Sequence, residues 1–163
     1  MIRPSNDGAL GKRPYFHFFG GTGLIDDIAG FHQKFGLEPL DEPGFLSEDL
    51  MEFRVKFLLE EMEELIKAWK NSDLTETFDA IIDIVYVALG TAYLMRLPTK
   101  LGWEEVHASN MEKVRAKSPI DSKRGSSSDV VKPLGWKKPD LEYILKSTAY
   151  MLQQRTGGGN DAA

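Results

Sequence analysis

The chain contains no cysteine, which excludes a disulfide framework and any metal site built from thiolates. This absence fits a reducing compartment. Positive charge is also scarce, because 20 lysines and arginines stand against 25 aspartates and glutamates, a net charge of −5 at neutral pH. So acidic a balance argues against a surface that coats nucleic acid.

Long apolar runs are missing as well. The longest one is interrupted by Asp83 and is too short to span a bilayer comfortably. The N-terminal segment MIRPSNDGALGKRPYFHFF lacks the apolar core of a signal peptide. We therefore expect a soluble, cytoplasmic protein that does not bind membranes, and its 163 residues suit one compact domain.

No segment shows a convincing strand pattern, and helical periodicity dominates instead. Helices are expected over about 24–35, 48–70, from 74 to a point before Pro98, over 99–117 and from Pro139 onward. Ser47 and Asp73 are the expected N-caps of the second and third helices. The predicted fold class is all-α, a four-helix-type bundle with an added helix. Residues 1–22 are predicted to be an irregular arm, 23–155 the helical domain, 118–138 a long loop within it and 156–163 a disordered tail.

Four of the glutamates in the second predicted helix are clustered, at positions 60, 61, 63 and 64. At roughly 100° per residue, Glu63 falls on the solvated back of the helix. Glu61 and Glu64 fall among apolar side chains, and Glu60 falls at the edge of the apolar arc. A carboxylate in apolar surroundings is costly unless a positive group meets it. Three acids in the pattern Glu-Glu-x-x-Glu are therefore predicted to lean toward the core.

A second acidic pair, Asp79 and Asp83, lies one turn apart on the third predicted helix. The two share a stripe with Glu76, Tyr86 and Gly90, and most of the remaining circumference is apolar. Such a helix is usually buried. A glycine in a helix costs about 1 kcal/mol relative to alanine, so the one in this stripe could admit a close neighbour or a ligand.

The ordinary interpretation of a glutamate run is a solvated helix face. An aspartate in an apolar helix is often paired with a buried arginine, and Arg54 lies on the acid side of its helix. One arginine cannot neutralise five carboxylates from two helices, whereas a hard divalent cation with oxygen ligands can. We therefore predict a site for Mg²⁺, or for Mn²⁺ in its place.

Further polar residues have two interpretations each. Asn110 shares a face with Trp103 and is predicted to be core-facing, with Lys113 one turn later. The pair is either a buried amide beside a surface lysine or a contact for a phosphate-bearing ligand. In the long loop, Lys132 could neutralise phosphate and Trp136 could cover a base, although both residue types are common in ordinary loops.

Two other classes of protein stay open. Glu104 and His107 form a Glu-x-x-His unit, but a helical di-metal carboxylate protein would need two of them. A non-catalytic helical binding or assembly module would leave the acids in solvent. The sequence has no P-loop and no nucleophilic serine or cysteine motif.

Four segments together resemble the all-α nucleoside triphosphate pyrophosphatases, the MazG-like and phosphoribosyl-ATP pyrophosphohydrolase-like superfamily: LLEEMEEL, DAIIDIVYVALGTA, EVHASNMEKV and VKPLGWKKPDL. The resemblance spans about residues 31–145, and the last two segments are similar to the phage-type branch, so a phage origin is one alternative. It implies hydrolysis of a nucleoside triphosphate to the monophosphate and pyrophosphate with Mg²⁺. It also implies assembly as a homodimer or homotetramer.

The resemblance implies metal ligation by four of the acids: Glu60, Glu61, Glu64 and Asp83. Many members carry a glutamate three residues before the last of these, where this chain has Ala80. Asp79 is the expected substitute, in preference to Glu76. Glu60 is the expected residue to orient or deprotonate the attacking water.

The same resemblance implies substrate contacts by Asn110, Lys113 and Lys132. Arg54 and Trp136 complete the predicted substrate-binding set.

Overall fold

The computed structural model describes residues 23–157, with side chains as far as Gln154. The predicted arm and most of the predicted tail lie outside the described residues. Within them the chain forms five α-helices and one antiparallel pair of short strands: α1 (Gly23–Lys34), α2 (Glu48–Lys70), α3 (Leu74–Leu94), α4 (Thr99–Met111), β1 (Val114–Arg115), β2 (Val130–Val131) and α5 (Leu141–Gly157). The predicted all-α class is confirmed.

The turn between α2 and α3 is fixed by a cap. The carboxylate of Asp73 accepts hydrogen bonds from the backbone N–H groups of Thr75 and Glu76, both at 3.1 Å. These bonds satisfy donors that the first turn of a helix otherwise leaves unpaired. The predicted cap is confirmed here, whereas Ser47 stands at the N-cap of α2 without a capping bond from its side chain.

The most extensive packing joins α2 to α3, and α1 packs on the C-terminal half of α3. A core cluster of buried residues forms there: Ile28, Ala29, Leu46, Tyr93 and Leu94. The loop after α1 is tied to the end of α3, since Leu40 N donates to Leu94 O at 2.9 Å. α4 contacts both α3 and α5. The hairpin of α2 and α3 therefore carries the predicted acids of both helices, with Glu60, Glu61 and Glu64 on α2 and Asp79 and Asp83 on α3.

α3 is not the enclosed helix that its composition predicts. Large apolar side chains along α2 and α3 remain exposed, among them Trp69 (69% exposed), Phe78 (65%) and Ile82 (47%). The prediction that the apolar run around Asp83 is too short to span a bilayer is wrong by length and composition, since α3, alone among the helices of the described residues, is long and apolar enough to cross a membrane. Core helices of soluble proteins share this property. The prediction of an enclosed helix is wrong for the single chain because α1 and α2 cover only part of an apolar circumference this wide.

α4 ends at Met111, six residues before the predicted end. The chain then enters β1, which pairs with β2 so that Val114 lies opposite Val131 and Arg115 opposite Val130. Strands of two residues each are too short for an alternating pattern to be recognised. The expectation of no strand is wrong at this point, because β2 lies inside the predicted loop of 118–138 and pairs with the chain just after α4.

Candidate active site

Glu61 lies at the centre of the acidic side chains on α2 and α3. It is only 7% exposed, and burial raises the pKa of its carboxyl. The negative charges of Asp83, Glu64, Glu60 and Asp79 raise that pKa further, in this order of effect. We call these five residues the acid cluster. Its electrostatics place the two predicted sets of carboxylates in one neighbourhood.

The members of the acid cluster differ in exposure. Glu61 is buried, Asp83 is half-buried, and Glu60, Glu64 and Asp79 are exposed. The prediction that three acids of α2 lean toward the core holds for Glu61 and is wrong for Glu60 and Glu64, because no element among the described residues covers their side of α2. The charge of Asp79 is among those that raise the pKa of Glu61. The choice of Asp79 over Glu76 as a metal ligand stays a prediction.

The acid cluster has no cationic partner among the described side chains, whose ion pairs lie elsewhere: Lys56–Glu52, Arg124–Asp129 and Lys146–Glu142. Over residues 23–157, no three His, Asp or Glu side chains converge closely enough to form a ready-made metal site. The chemistry of the donors nevertheless fits a hard cation, because uncompensated carboxylate oxygens are the ligands that Mg²⁺ prefers. Binding such a cation would require the exposed acids to turn toward Glu61.

Arg54 lies two turns before Glu61 on α2 and is directed into α3. It is buried, and its Nε donates to Thr91 Oγ1 at 3.0 Å while Nη2 donates to Val87 O at 2.7 Å. Burial lowers the pKa of its guanidinium. These bonds give Arg54 a role in holding α2 against α3. Its contact with substrate stays a prediction.

Gly90 is the point at which three elements meet. A Cβ atom there would lie 2.9 Å from Cε1 of His32 and 3.0 Å from Nη2 of Arg54. The expectation of a close neighbour at Gly90 is confirmed, and the neighbours are these two side chains. Only glycine leaves room for both.

His32 is a residue that sequence reasoning missed. It is 1% exposed, its Nδ1 lies 2.8 Å from Ile28 O, and its Nε2 has no hydrogen-bond partner among residues 23–154. Burial has the largest effect on the imidazole and lowers its pKa. The bond to Ile28 opposes this effect, and the charge of Arg54 adds a further, smaller lowering. The ring therefore packs as a neutral group. A single histidine on a short amphipathic helix gave no signal of this role.

The remaining predicted substrate-binding residues are brought together at the end of α4. Lys113 Nζ donates to Asn110 Oδ1 at 2.7 Å. Lys132 Nζ lies 4.1 Å and Lys113 Nζ 5.7 Å from the centre of the Trp136 ring. Trp136 Nε1 donates to Ser109 O at 2.9 Å, which fixes the ring against α4. We call Asn110, Lys113, Lys132 and Trp136 the lysine–tryptophan cluster.

The prediction that Asn110 faces the core is wrong. Asn110 is exposed, and its neighbour Ser109 is the buried residue, with Oγ donating to Lys137 O at 3.1 Å. The reason is that α4 ends one residue later, so the helical face assigned to Asn110 does not continue. Among the described side chains no carboxylate pairs with Lys113 or Lys132, and no hydrogen bond joins this cluster to the acid cluster.

A protein-family model described as phosphoribosyl-ATP pyrophosphohydrolase matches residues 28–110, just over half of the chain. The chain belongs to this family. The family is part of the MazG-like all-α nucleoside triphosphate pyrophosphatase superfamily, so the resemblance is confirmed, and membership indicates a pyrophosphohydrolase. The match includes the whole acid cluster and Asn110, but it ends before Lys113. No curated protein matches the chain significantly.

Proposed function

We propose that the protein hydrolyses a ribo- or deoxynucleoside triphosphate at the bond between the α- and β-phosphates, releasing the monophosphate and pyrophosphate, and that it requires Mg²⁺. The observation that carries this proposal is the acid cluster around the buried Glu61, on two helices that the family model matches. A buried carboxylate among four others is unfavourable in the free protein, and a bound cation would relieve it.

The acids have distinct roles in this proposal. Glu61, Glu64, Asp83 and Asp79 would hold Mg²⁺, or Mn²⁺ in its place. When bound, the cation would offset the charge that develops on the pyrophosphate leaving group. Glu60 is exposed at the edge of the acid cluster, where it can orient the water that attacks the α-phosphorus and accept its proton.

The lysine–tryptophan cluster would bind the substrate. Its two ammonium groups have no carboxylate partner in the part of the chain that the structure describes, so they are available to phosphate oxygens. Asn110 already accepts from Lys113 and would hold that lysine in place. The Trp136 ring offers an apolar face to a base. Catalysis would then depend on positioning and electrostatics, as is usual for phosphoryl transfer.

We also propose that a second copy covers the exposed apolar face of α2 and α3, giving a homodimer or a pair of dimers. Trp69, Phe78 and Ile82 all lie exposed on these two helices. Contiguous exposed apolar surface marks an interaction site in a soluble protein. Covering it would also place Glu64 in drier surroundings, closer to the environment that its position in α2 predicts.

The test is release of pyrophosphate from a panel of ribo- and deoxynucleoside triphosphates, with and without Mg²⁺. We expect equal amounts of monophosphate and pyrophosphate, only when Mg²⁺ is present. Glu64→Gln should keep the fold and lose nearly all turnover, whereas Glu63→Gln, its exposed neighbour, should match the native enzyme. Release of orthophosphate instead would refute the assigned bond, and full turnover by Glu64→Gln would refute the ligand assignment.

A further inference from the structure

An apolar groove lies where the end of α3 meets α4 and α5. Its volume is about 330 Å³, and its exposed lining is entirely apolar, with side chains that include Leu97, Trp103, Val106 and Leu141. None of its lining residues belongs to the acid cluster or to the lysine–tryptophan cluster. The proposed activity therefore gives this groove no role.

The groove leaves large apolar groups in water. Trp103 is 72% exposed and Leu141 is 41% exposed, although both stand on helices that pack against the rest of the fold. Removing such surface from water is favourable, so an apolar segment that fits the groove would stabilise the protein. The question is which segment is close enough.

The start of α1 lies beside this groove. Ile25 and Thr99 line one small cavity together with Tyr93, and Thr99 also lines the groove. Gly23, the first described residue, precedes Ile25 by two positions. The chain before Gly23 therefore joins the described fold near the edge of the groove.

The sequence immediately before Gly23 is strongly aromatic. Residues 14–19 read PYFHFF and contain four aromatic side chains in six positions. Phe19 is four residues from Gly23, a reach of up to about 14 Å for an extended chain at about 3.3–3.6 Å per residue. Each aromatic side chain can bury on the order of 150–250 Å². The segment combines the right chemistry with sufficient reach.

We propose that the aromatic segment Tyr15–Phe19 of the same chain occupies this groove and completes the apolar packing of α4 and α5. Tethering favours the chain's own segment, because a short linker holds it at a local concentration of about millimolar. The same segment of a second copy is the competing occupant, and the test below separates the two.

The absence of cysteine from the native chain permits a direct test. Full-length protein carrying Phe18→Cys and Leu141→Cys is oxidised mildly at low concentration. We expect a disulfide within one chain, forming on the order of tenfold faster than in a control with Phe18→Cys and Lys146→Cys, as for a docked rather than merely tethered segment. Lys146 is a matched control because it lies on the same helix, exposed and outside the groove.

Equal rates for the two pairs would mean that the segment is tethered but not docked, and would overturn the proposal. Disulfide-linked dimers would assign the groove to a second copy and also overturn it. A second measurement uses a variant with Trp69→Phe and Trp136→Phe, in which Trp103 is the one tryptophan left. Deleting residues 1–19 should shift its emission to longer wavelength, and an unchanged emission would contradict the proposal. Neither readout depends on catalytic activity.

Discussion

Lys113 and Lys132 are the residues that adjoin the outer end of the β1–β2 pair, and both ammonium groups lie near the ring of Trp136. The register sets this arrangement, because Val114 lies opposite Val131 and the lysines are the next residues outward. Like charges directly opposite each other on paired strands are destabilising. Contacts of 4.1 and 5.7 Å with the ring centre offset part of this cost. Two cations held together in this way suit an anion that carries several charges.

The first prediction concerns this pair. Lys132→Ala should raise KM for the nucleotide about tenfold or more and change kcat less, because one charge-assisted hydrogen bond contributes about 1.5–3 kcal/mol. The measurement is steady-state kinetics with the preferred triphosphate. Lys123→Ala is the matched control, since Lys123 is an exposed lysine of the same loop. An unchanged KM in Lys132→Ala would remove this lysine from the substrate site.

The second prediction follows from the raised pKa of Glu61. The folded-state pKa of the Glu61 carboxyl is raised above its ordinary value of 4.5, so this group favours folding at pH values below 4.5. Its contribution to stability is lost as the pH rises through the raised pKa. At neutral pH without metal, Glu61→Gln should therefore raise Tm by a few degrees, the change expected for about 1 kcal/mol in a domain of this length. Thermal unfolding in a chelator, from pH 4 to pH 8, measures it.

The amount by which the Tm of Glu61→Gln exceeds that of the native protein should shrink at acidic pH, where Glu61 is itself neutral. Adding Mg²⁺ should reverse the order at neutral pH, because only the native protein retains the central ligand. A Tm of the variant below that of the native protein in chelator would show that the acid cluster does not destabilise the free fold.

The third prediction tests the meeting point of His32 and Arg54. Gly90→Ala should destabilise the protein by about 1–3 kcal/mol, since its Cβ would lie 2.9–3.0 Å from both side chains. Gly30→Ala is the control: it is a helical glycine with nothing within 4 Å of the added carbon, so helix propensity should give a gain of about 1 kcal/mol. Chemical denaturation measures both. If Gly90→Ala left the free energy of unfolding unchanged, the neighbouring helices would have to separate easily.

The helices could be predicted because their apolar residues recur periodically over long segments. The errors concern residues whose exposure or pairing depends on contacts with other elements, which this periodicity does not reveal. Glu61 was correctly assigned to the buried face, because twenty-three residues of α2 define that face well. Glu64 and Asn110 were misassigned because their exposure depends on what covers α2 and on where α4 stops. The register that brings Lys113 and Lys132 to the same end of the β1–β2 pair arises from two pairs of residues and could not be recognised from sequence.

The last prediction concerns Asp129, which holds the loop between β1 and β2 and which sequence reasoning also missed. Its carboxylate accepts hydrogen bonds from Ser122 Oγ at 2.7 Å, Arg124 Nη1 at 2.8 Å and its neighbour Val130 N at 2.9 Å. The bond from Ser122 is the largest of the effects that lower the pKa of Asp129. Asp129→Asn should loosen the loop and raise KM through Lys132, with a smaller effect on kcat.

Hydrogen exchange separates this positioning role from direct binding. The Ala116 N–H, which donates to Asp129 O at 2.9 Å, should exchange faster in Asp129→Asn but not in Lys132→Ala.

The same experiment has a pH dependence. Because the pKa of Asp129 is lowered from its ordinary value of 3.8, this group stabilises the fold at pH values above 3.8, and its contribution to stability is lost as the pH falls through the folded-state pKa. Native protein should therefore lose protection at Ala116 at strongly acidic pH, and Asp129→Asn should show no such step. Asp121→Asn is the control, because Asp121 bonds Ser118 in the same loop without reaching β2. Faster exchange with an unchanged KM would show that the loop can loosen without moving Lys132, and would separate Asp129 from substrate binding.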